Sequence, residues 1–521
     1  MSATPATQPV AAIAVEDRRF LGHPRGLSTL FFTELWERFS YYGMRAILIL
    51  FMTTSAETGG LGFDTARAGA IYGLYTSLVY LLSLPGGWIA DRILGQRRAV
   101  LYGGVLIMCG HICLAIHGLG TFYAGLALIV LGTGLLKPNI SVMVGQQYAE
   151  GDTRRDSGFS IFYMGINLGA FLSPLVCGWL AQSEGFRGYL ESNGISPARS
   201  WHFGFGMAAV GMALGLVQYV AGGRRLGEAG LRPAGSKSPV ERAAAVRKLG
   251  LGLGGVVLLV GALALAHGTG AVPLTVEGVS RSFGGFLTLL VVGFFAWVFL
   301  SGSWSPAERT RLLVIAVLFA ASAIFWAVFE QAGSTLNLFA QRNTDNVLLG
   351  WRFPASWLQS VNGALIVLLA PVLAWVWFRL GPRDPSSPAK FALGLLFAGL
   401  GFALLVGPAS ASGSGDEPAR RVGPMWLVGT YLFHTIGELC LSPVGLSAMT
   451  RLAPERVGGL MMGAWFLSLS VGNYAGGQVA SQFEAFPLPG IFATVGGAAI
   501  AAAILLSLFV RPIGRLLGAA K

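Results

Sequence analysis

Runs of about twenty predominantly apolar residues recur along the whole of this 521-residue chain, and that feature leaves few folds open. Each run is long enough to cross ~30 Å of hydrocarbon at ~1.5 Å per residue. In lipid every backbone N–H and C=O must be satisfied within the spanning structure, so only helices or closed barrels qualify. A barrel needs short segments of alternating polarity. These runs are long and continuous, so the expected fold is an all-α membrane protein. Charged residues make up 12% of the chain and hydrophobic ones 54%, with a mean hydropathy of +0.64. A soluble domain carries about 25% charged residues.

Apolar runs and their charged or Gly/Pro borders predict fourteen transmembrane helices, near 28–55, 67–90, 97–118, 122–146, 158–182, 201–221, 249–268, 283–301, 312–339, 355–379, 390–407, 425–450, 457–480 and 489–511. An even number puts both termini on one side. Placing them in the cytoplasm leaves 25 Lys and Arg in inner loops against 8 in outer ones, the bias expected of a multi-pass protein of a bacterial inner membrane. The net charge of +12 is therefore a marker of topology, with membrane lipid rather than nucleic acid as the partner.

The stretch before Asp17 lacks the charge and the long apolar core of a cleaved signal, and is expected to be a disordered tail. Cys109, Cys113, Cys177 and Cys440 fall inside apolar runs at spacings of neither a disulfide framework nor a zinc site. Gly222–Lys248 is the longest polar connection and separates six helices from the rest. If the following pair is an inserted hairpin, six plus six helices remain, an arrangement of two pseudo-related halves. The expected organisation is thus a tail over 1–27, a six-helix bundle over 28–222, a linker and inserted two-helix hairpin over 223–310, and a second six-helix bundle over 311–521. The inserted pair has almost no polar residues and is expected to face lipid.

An ionisable side chain at bilayer depth is costly enough to be a functional hypothesis by default. The first helix has the densest set: Glu34, Glu37, Arg38, Tyr41, Tyr42 and Arg45. At ~100° per residue they fall within an arc of roughly 140°. Glu34 with Arg38, and Tyr41 with Arg45, are spaced to pair along the helix. Lys137, Glu330 and Glu438 come singly and need partners on other helices. Cations from the first half and carboxylates from the second suit a zwitterionic ligand. Asn167, Asn337 and Asn362 can donate and accept beside the carboxylates, or bond helices together. Among the histidines only His434, one turn before Glu438, is placed for a role. No nucleophile, metal or cofactor motif is present, so nothing supports an enzyme.

These residues resemble a known family. GGWIADRILGQRR is similar to the loop between helices 2 and 3 of the major facilitator superfamily, and its continuation through AVLYGG to a signature of proton-dependent oligopeptide transporters. FYMGINLGAFLSP resembles that family's second signature, and ELWERFSYYGMRAIL carries its E-x-x-E-R pattern. The resemblance implies proton-coupled symport of di- and tripeptides into the cytoplasm, without a cofactor. It implies proton coupling by Glu34, Glu37, Arg38, Lys137 and Glu330, a charged pair of Arg45 and Glu330 near the site, and a carboxylate grip from Arg45 and Lys137. It implies that Asn167, Asn362 and Glu438 hold the peptide's amino end, and that Tyr41, Tyr42, Tyr80, Trp326 and Trp465 line side-chain pockets. The second helix lacks the histidine of the animal members, so carboxylates must carry the proton. The expected carrier is a self-contained monomer. A nitrate or drug carrier of the same superfamily, and a non-transporting membrane receptor, remain the alternatives.

Overall fold

The computed structural model describes residues 17–235, 238–413, 420–454 and 457–518. The tail before Asp17, and Lys237, Arg456 and Lys521 of the inner-loop set, lie outside the described residues.

Fourteen long helices follow in order: α1 Arg25–Thr53, α2 Thr65–Leu94, α3 Gln96–Ala115, α4 Leu119–Gly145, α5 Arg155–Gln182, α6 Ser200–Ala221, α7 Pro239–Gly268, α8 Val276–Leu300, α9 Pro306–Phe329, α10 Ser360–Leu380, α11 Ser387–Ser412, α12 Met425–Leu452, α13 Gly458–Ala480 and α14 Leu488–Gly518. Eleven spans among the described residues are long and apolar enough to cross a membrane. α1 is not among them because it carries five charged residues, and α12 and α13 are diluted by groups such as His434, Glu438 and Asn473. The only β-strands among the described residues form the hairpin of Val347–Leu348 with Trp351–Arg352.

Several boundaries differ from the sequence expectation by five residues or more, and the two largest differences have a visible cause. α7 begins ten residues before 249, because Ser238 accepts the Glu241 N–H and Pro239 fills the first helical position. The polar residues up to Lys248 are thus helix rather than linker. α9 ends at Phe329, passes through a tight turn over Glu330–Gly333 and resumes as Thr335–Arg342. A Cβ on Gly333 would stand 2.7 Å from the Arg45 Nε, so a charged side chain occupies the space beside the break.

The chain divides into two compact units. One comprises the described part of 1–43 with 82–173 and 205–274; its core gathers Leu27, Leu30, Ile107, Ile140 and Met212. There α3 and α4 meet backbone to backbone, since a Cβ on Gly103 would lie 2.6 Å from the Gly132 carbonyl oxygen. The α2–α3 loop of this unit holds the connection to α7: Arg92 Nη1 donates to the Gly235 carbonyl at 2.6 Å and Arg97 Nη2 to that of Gly227 at 2.7 Å. The other unit comprises 44–81, 174–204 and 275 onward. Its α2 segment packs on α13 through Gly73, where a Cβ would stand 2.9 Å from the Gly477 Cα, and through Ser77 and Ser470, whose hydroxyls are 2.7 Å apart.

α7 and α8 are sparsely covered: 0% and 11% of their most apolar stretches are buried, the latter equal to the span containing α10, against 61% for the span containing α9. Side chains such as Leu258, Val257 and Leu289 stand free of protein, as lipid contact requires. α8 touches α13, where Tyr474 donates to the Ser280 carbonyl at 2.9 Å.

Candidate functional site

The charged stripe on α1 is real and buried. Glu34, Glu37 and Arg38 are all 4% exposed or less. Arg38 Nε reaches Glu34 Oε1 at 3.2 Å, one turn back, and pairs closely with Glu37 Oε2. Its guanidinium lies 5.3 Å from the Tyr41 ring centroid and 6.0 Å from that of Tyr42, within cation–π range. α5 comes close at this level because it presents glycines: a Cβ on Gly169 would stand 3.0 Å from the Arg38 Cβ. Asn167, on the same stretch of α5, is buried and donates to the Tyr163 carbonyl of its own helix at 2.9 Å.

Lys137, on α4, belongs to the same compact unit as Glu34 and Arg38. The local backbone is set by Pro138, which has no N–H to donate one turn back. The Asn139 side chain bonds the next carbonyl along, that of Leu135, at 2.7 Å. Lys137 thus sits where the helix is weakened and its neighbours are polar.

The second unit contains three further pieces. Arg45 Nη2 pairs with Glu330 Oε2 at 2.6 Å and also donates to the Glu330 carbonyl at 3.2 Å, which the end of α9 leaves free. Arg45 Nε donates to Tyr72 at 2.7 Å. The expected along-helix bond of Arg45 to Tyr41 gives way to these partners on α2 and α9, because the α9 break brings a carboxylate and a carbonyl to one guanidinium. Beside it, Asn337 and Gln359 both donate to the Ala46 carbonyl, at 2.8 and 3.2 Å.

Asn362 on α10 donates to Glu438 Oε2 at 3.2 Å and to Thr435 Oγ1 at 3.0 Å, both on α12. The carboxylate is oriented by the amide, and the amide by the threonine. Trp326 and Trp465 meet edge to face, 6.5 Å between centroids. Tyr80 is buried on α2, one turn beyond the Ser77 contact with α13. His434 stacks on Phe402 at 5.5 Å, with Phe329 at 6.2 Å on α9.

Sequence reasoning named both partners of Arg45–Glu330 and of Asn362–Glu438, and missed Tyr72, Thr435 and Gln359. Tyr72 had a signal: it lies eight residues before Tyr80 and so on the same helix face. Thr435, three residues before Glu438, had one too.

The POT family model matches residues 97–494. The chain is 40% identical over 517 residues to the peptide transporter YePEPT of Yersinia enterocolitica, covering 96% of each chain. It is 37% identical to a di-/tripeptide transporter of Lactococcus lactis, covering 96% of this chain and 98% of that one. Among solved structures, a peptide transporter POT in complex with alafosfalin superposes with a TM-score of 0.86 at 45% identity, covering 97% and 98% of the two chains.

Proposed function

Because the chain belongs to the POT family of multi-pass membrane transporters, we propose that it carries di- and tripeptides with protons into the cytoplasm by alternating access. In this reading all fourteen long helices span a bacterial inner membrane with both termini inside. Two six-helix bundles, 28–222 and 311–521, flank the linker and the α7–α8 hairpin over 223–310, and the carrier works as a monomer. The linker Arg and Lys residues and the inner-loop bias support that orientation.

The observation that carries the proposal is the set of charges on α1. Arg38 shares two carboxylates, and Lys137 supplies the second cation. While Lys137 acts on Glu34 the group is balanced. When a peptide carboxylate draws Lys137 away, two carboxylates remain against one guanidinium, and a proton on Glu34 or Glu37 restores neutrality. Burying net charge at low dielectric is costly, so peptide and proton favour one another's binding. Arg45 is the second grip for the peptide carboxylate, competing with Glu330 for its fork. Asn362, Glu438 and Asn167 hold the amino end. Tyr41, Tyr42, Tyr80, Trp326 and Trp465 supply apolar walls that accept many side chains.

An extended chain spans at most ~3.6 Å per residue, so a tripeptide reaches about 10 Å between its charged ends. Fixed cations and a fixed carboxylate therefore set a length limit. Counterflow of labelled dialanine into liposomes loaded with unlabelled peptide tests the reading. Di- and trialanine should compete, and tetraalanine and nitrate should not. Competition by nitrate without competition by dipeptides moves the assignment to the anion carriers of the wider superfamily.

A further inference from the structure

A cavity of about 630 Å³ lies in the second unit, away from every residue assigned above. Its walls come from the end of α1 at Thr54, the turn and short helix between α5 and α6, and the connection between α9 and α10. In the proposed orientation these are periplasmic. The two sides are tied by Gln182, which donates to Gln341 Oε1 at 2.9 Å and accepts from the Ser356 N–H at 3.3 Å.

Cations dominate the lining. Arg187, Arg352 and Arg421 face it against one carboxylate, Glu184. Arg187 is anchored by donation to the Ala181 carbonyl at 3.3 Å and lies over the Trp201 ring. Arg421 is placed by its neighbour Val422, whose N–H donates to the Asn343 carbonyl at 2.9 Å. Arg352 is fixed in the β-hairpin. Three guanidiniums around one mouth call for a carboxylate or another planar anion.

Two further polar residues contribute to the lining, each with one polar atom closed off from it. Trp201 is 2% exposed, and its indole Nε1 has no hydrogen-bond partner. Asn346 is 8% exposed; its Nδ2 donates to the Ala340 carbonyl, and its Oδ1 has no partner. An aromatic surface is supplied by Trp351, whose ring stands 5.2 Å from that of Trp357.

We propose that this cavity is a second ligand site, distinct from the peptide site, that takes a small carboxylate bearing an aromatic body. The carboxylate meets Arg352 and Arg421, and the aromatic body lies against Trp351. A ligand there bridges elements that alternating access must move apart, so its occupancy slows transport from outside. That last consequence rests on the transport reading; the binding does not.

N-acetyl-L-tryptophan is the probe, because it has no free amine for Asn362 and Glu438. Calorimetric titration of the purified full-length protein should show one site, weakened about tenfold or more in Arg352→Ala and in Trp351→Ala, both exposed and free to change without unfolding the core. Binding should be unchanged in Glu438→Gln. In right-side-out liposomes the probe should lower the maximal rate of dialanine counterflow and leave KM as it was. Absence of binding, binding unaffected by Arg352→Ala combined with Arg421→Ala, or purely competitive inhibition lost in Glu438→Gln would overturn the proposal. Failure of dialanine transport without the probe would count against the transport reading alone, and the titration would still decide the site.

Discussion

Two arginines seven residues apart on α1 are partnered in opposite ways. Arg38 faces Glu34 and Glu37, both from its own helix and within one turn. Arg45 faces Glu330, distant in sequence, together with the Tyr72 hydroxyl and a backbone carbonyl. The first group holds more carboxylates than guanidiniums and depends on Lys137 for balance. The second is balanced one to one, and its arginine is well supplied with acceptors. In the proposed mechanism the surplus carboxylate takes up the proton, and the balanced pair is a latch that opens or closes as a unit. Neither is chosen for strength: a buried ion pair is a poor stabiliser beside apolar packing of the same volume.

The sharpest way to break this comparison is to remove the cation that balances the first group. One proton moving through ~100 mV supplies ~2.3 kcal/mol and one pH unit about 1.4 kcal/mol more. Together they allow roughly 500-fold accumulation. Lys137→Ala should bring accumulation to unity while dialanine exchange persists; uphill uptake by that variant would remove the distinction between the two groups.

Next in size is the latch. Glu330→Ala leaves Arg45 buried without its carboxylate and should cost about 3–5 kcal/mol of stability. Arg45→Met with Glu330→Leu should recover most of that loss in a denaturation experiment without recovering transport. A double variant that transports normally would show the pair to be structural only.

A smaller effect belongs to Asn362. Asn362→Ala deprives Glu438 of a hydrogen bond worth about 1–3 kcal/mol. The KM for dialanine should rise about ten- to a hundredfold, and binding of N-acetyl-dialanine should hardly change. An equal loss for both ligands would mean that the amide shapes the helices rather than reading the amine.

The smallest effect separates proton coupling from ordinary acid sensitivity. His23, before α1, is held below the usual imidazole range, by burial first and by Arg154 second, and its Nδ1 is 2.9 Å from the Tyr148 hydroxyl. The unfolded chain therefore takes a proton near pH 6.5 that the folded one resists. The stability contribution is present above that value and is lost as pH falls below it, by at most ~1.4 kcal/mol per pH unit. His23→Gln should flatten the fall in melting temperature between pH 7 and pH 5 and leave the pH dependence of uptake intact. If it abolishes the latter, acid sensitivity of the fold has been mistaken for coupling.

The helices were legible because hydrocarbon forces long apolar runs into self-satisfied backbone, so most ends fall within a few residues of the expected ones. The start of α7 was not, because its first turns are polar and only Ser238 and Pro239 mark them. The break at Glu330 was missed although Glu330, Gln331, Gly333, Ser334 and Thr335 interrupt the apolar run there; the side chains that occupy it lie on α1 and α2. Glu34 and Arg38 could be paired from spacing alone, being four apart on one helix, whereas the contact of Arg38 with its neighbour Glu37 could not. Spacing alone offered Arg45 only Tyr41; its pair with Glu330 was legible through the family resemblance, and Tyr72 was not, because these bonds depend on how α1, α2 and α9 pack. Thr435 escaped for the same reason, being polar but not charged.

The most direct test of proton coupling through the α1 carboxylates is the pH inside liposomes clamped at about −100 mV when dialanine is added outside. The account predicts acidification of the lumen with the wild-type protein and none with Glu37→Gln, although that variant still exchanges dialanine. Dialanine entry without acidification in the wild type, or unchanged acidification in Glu37→Gln, would contradict it.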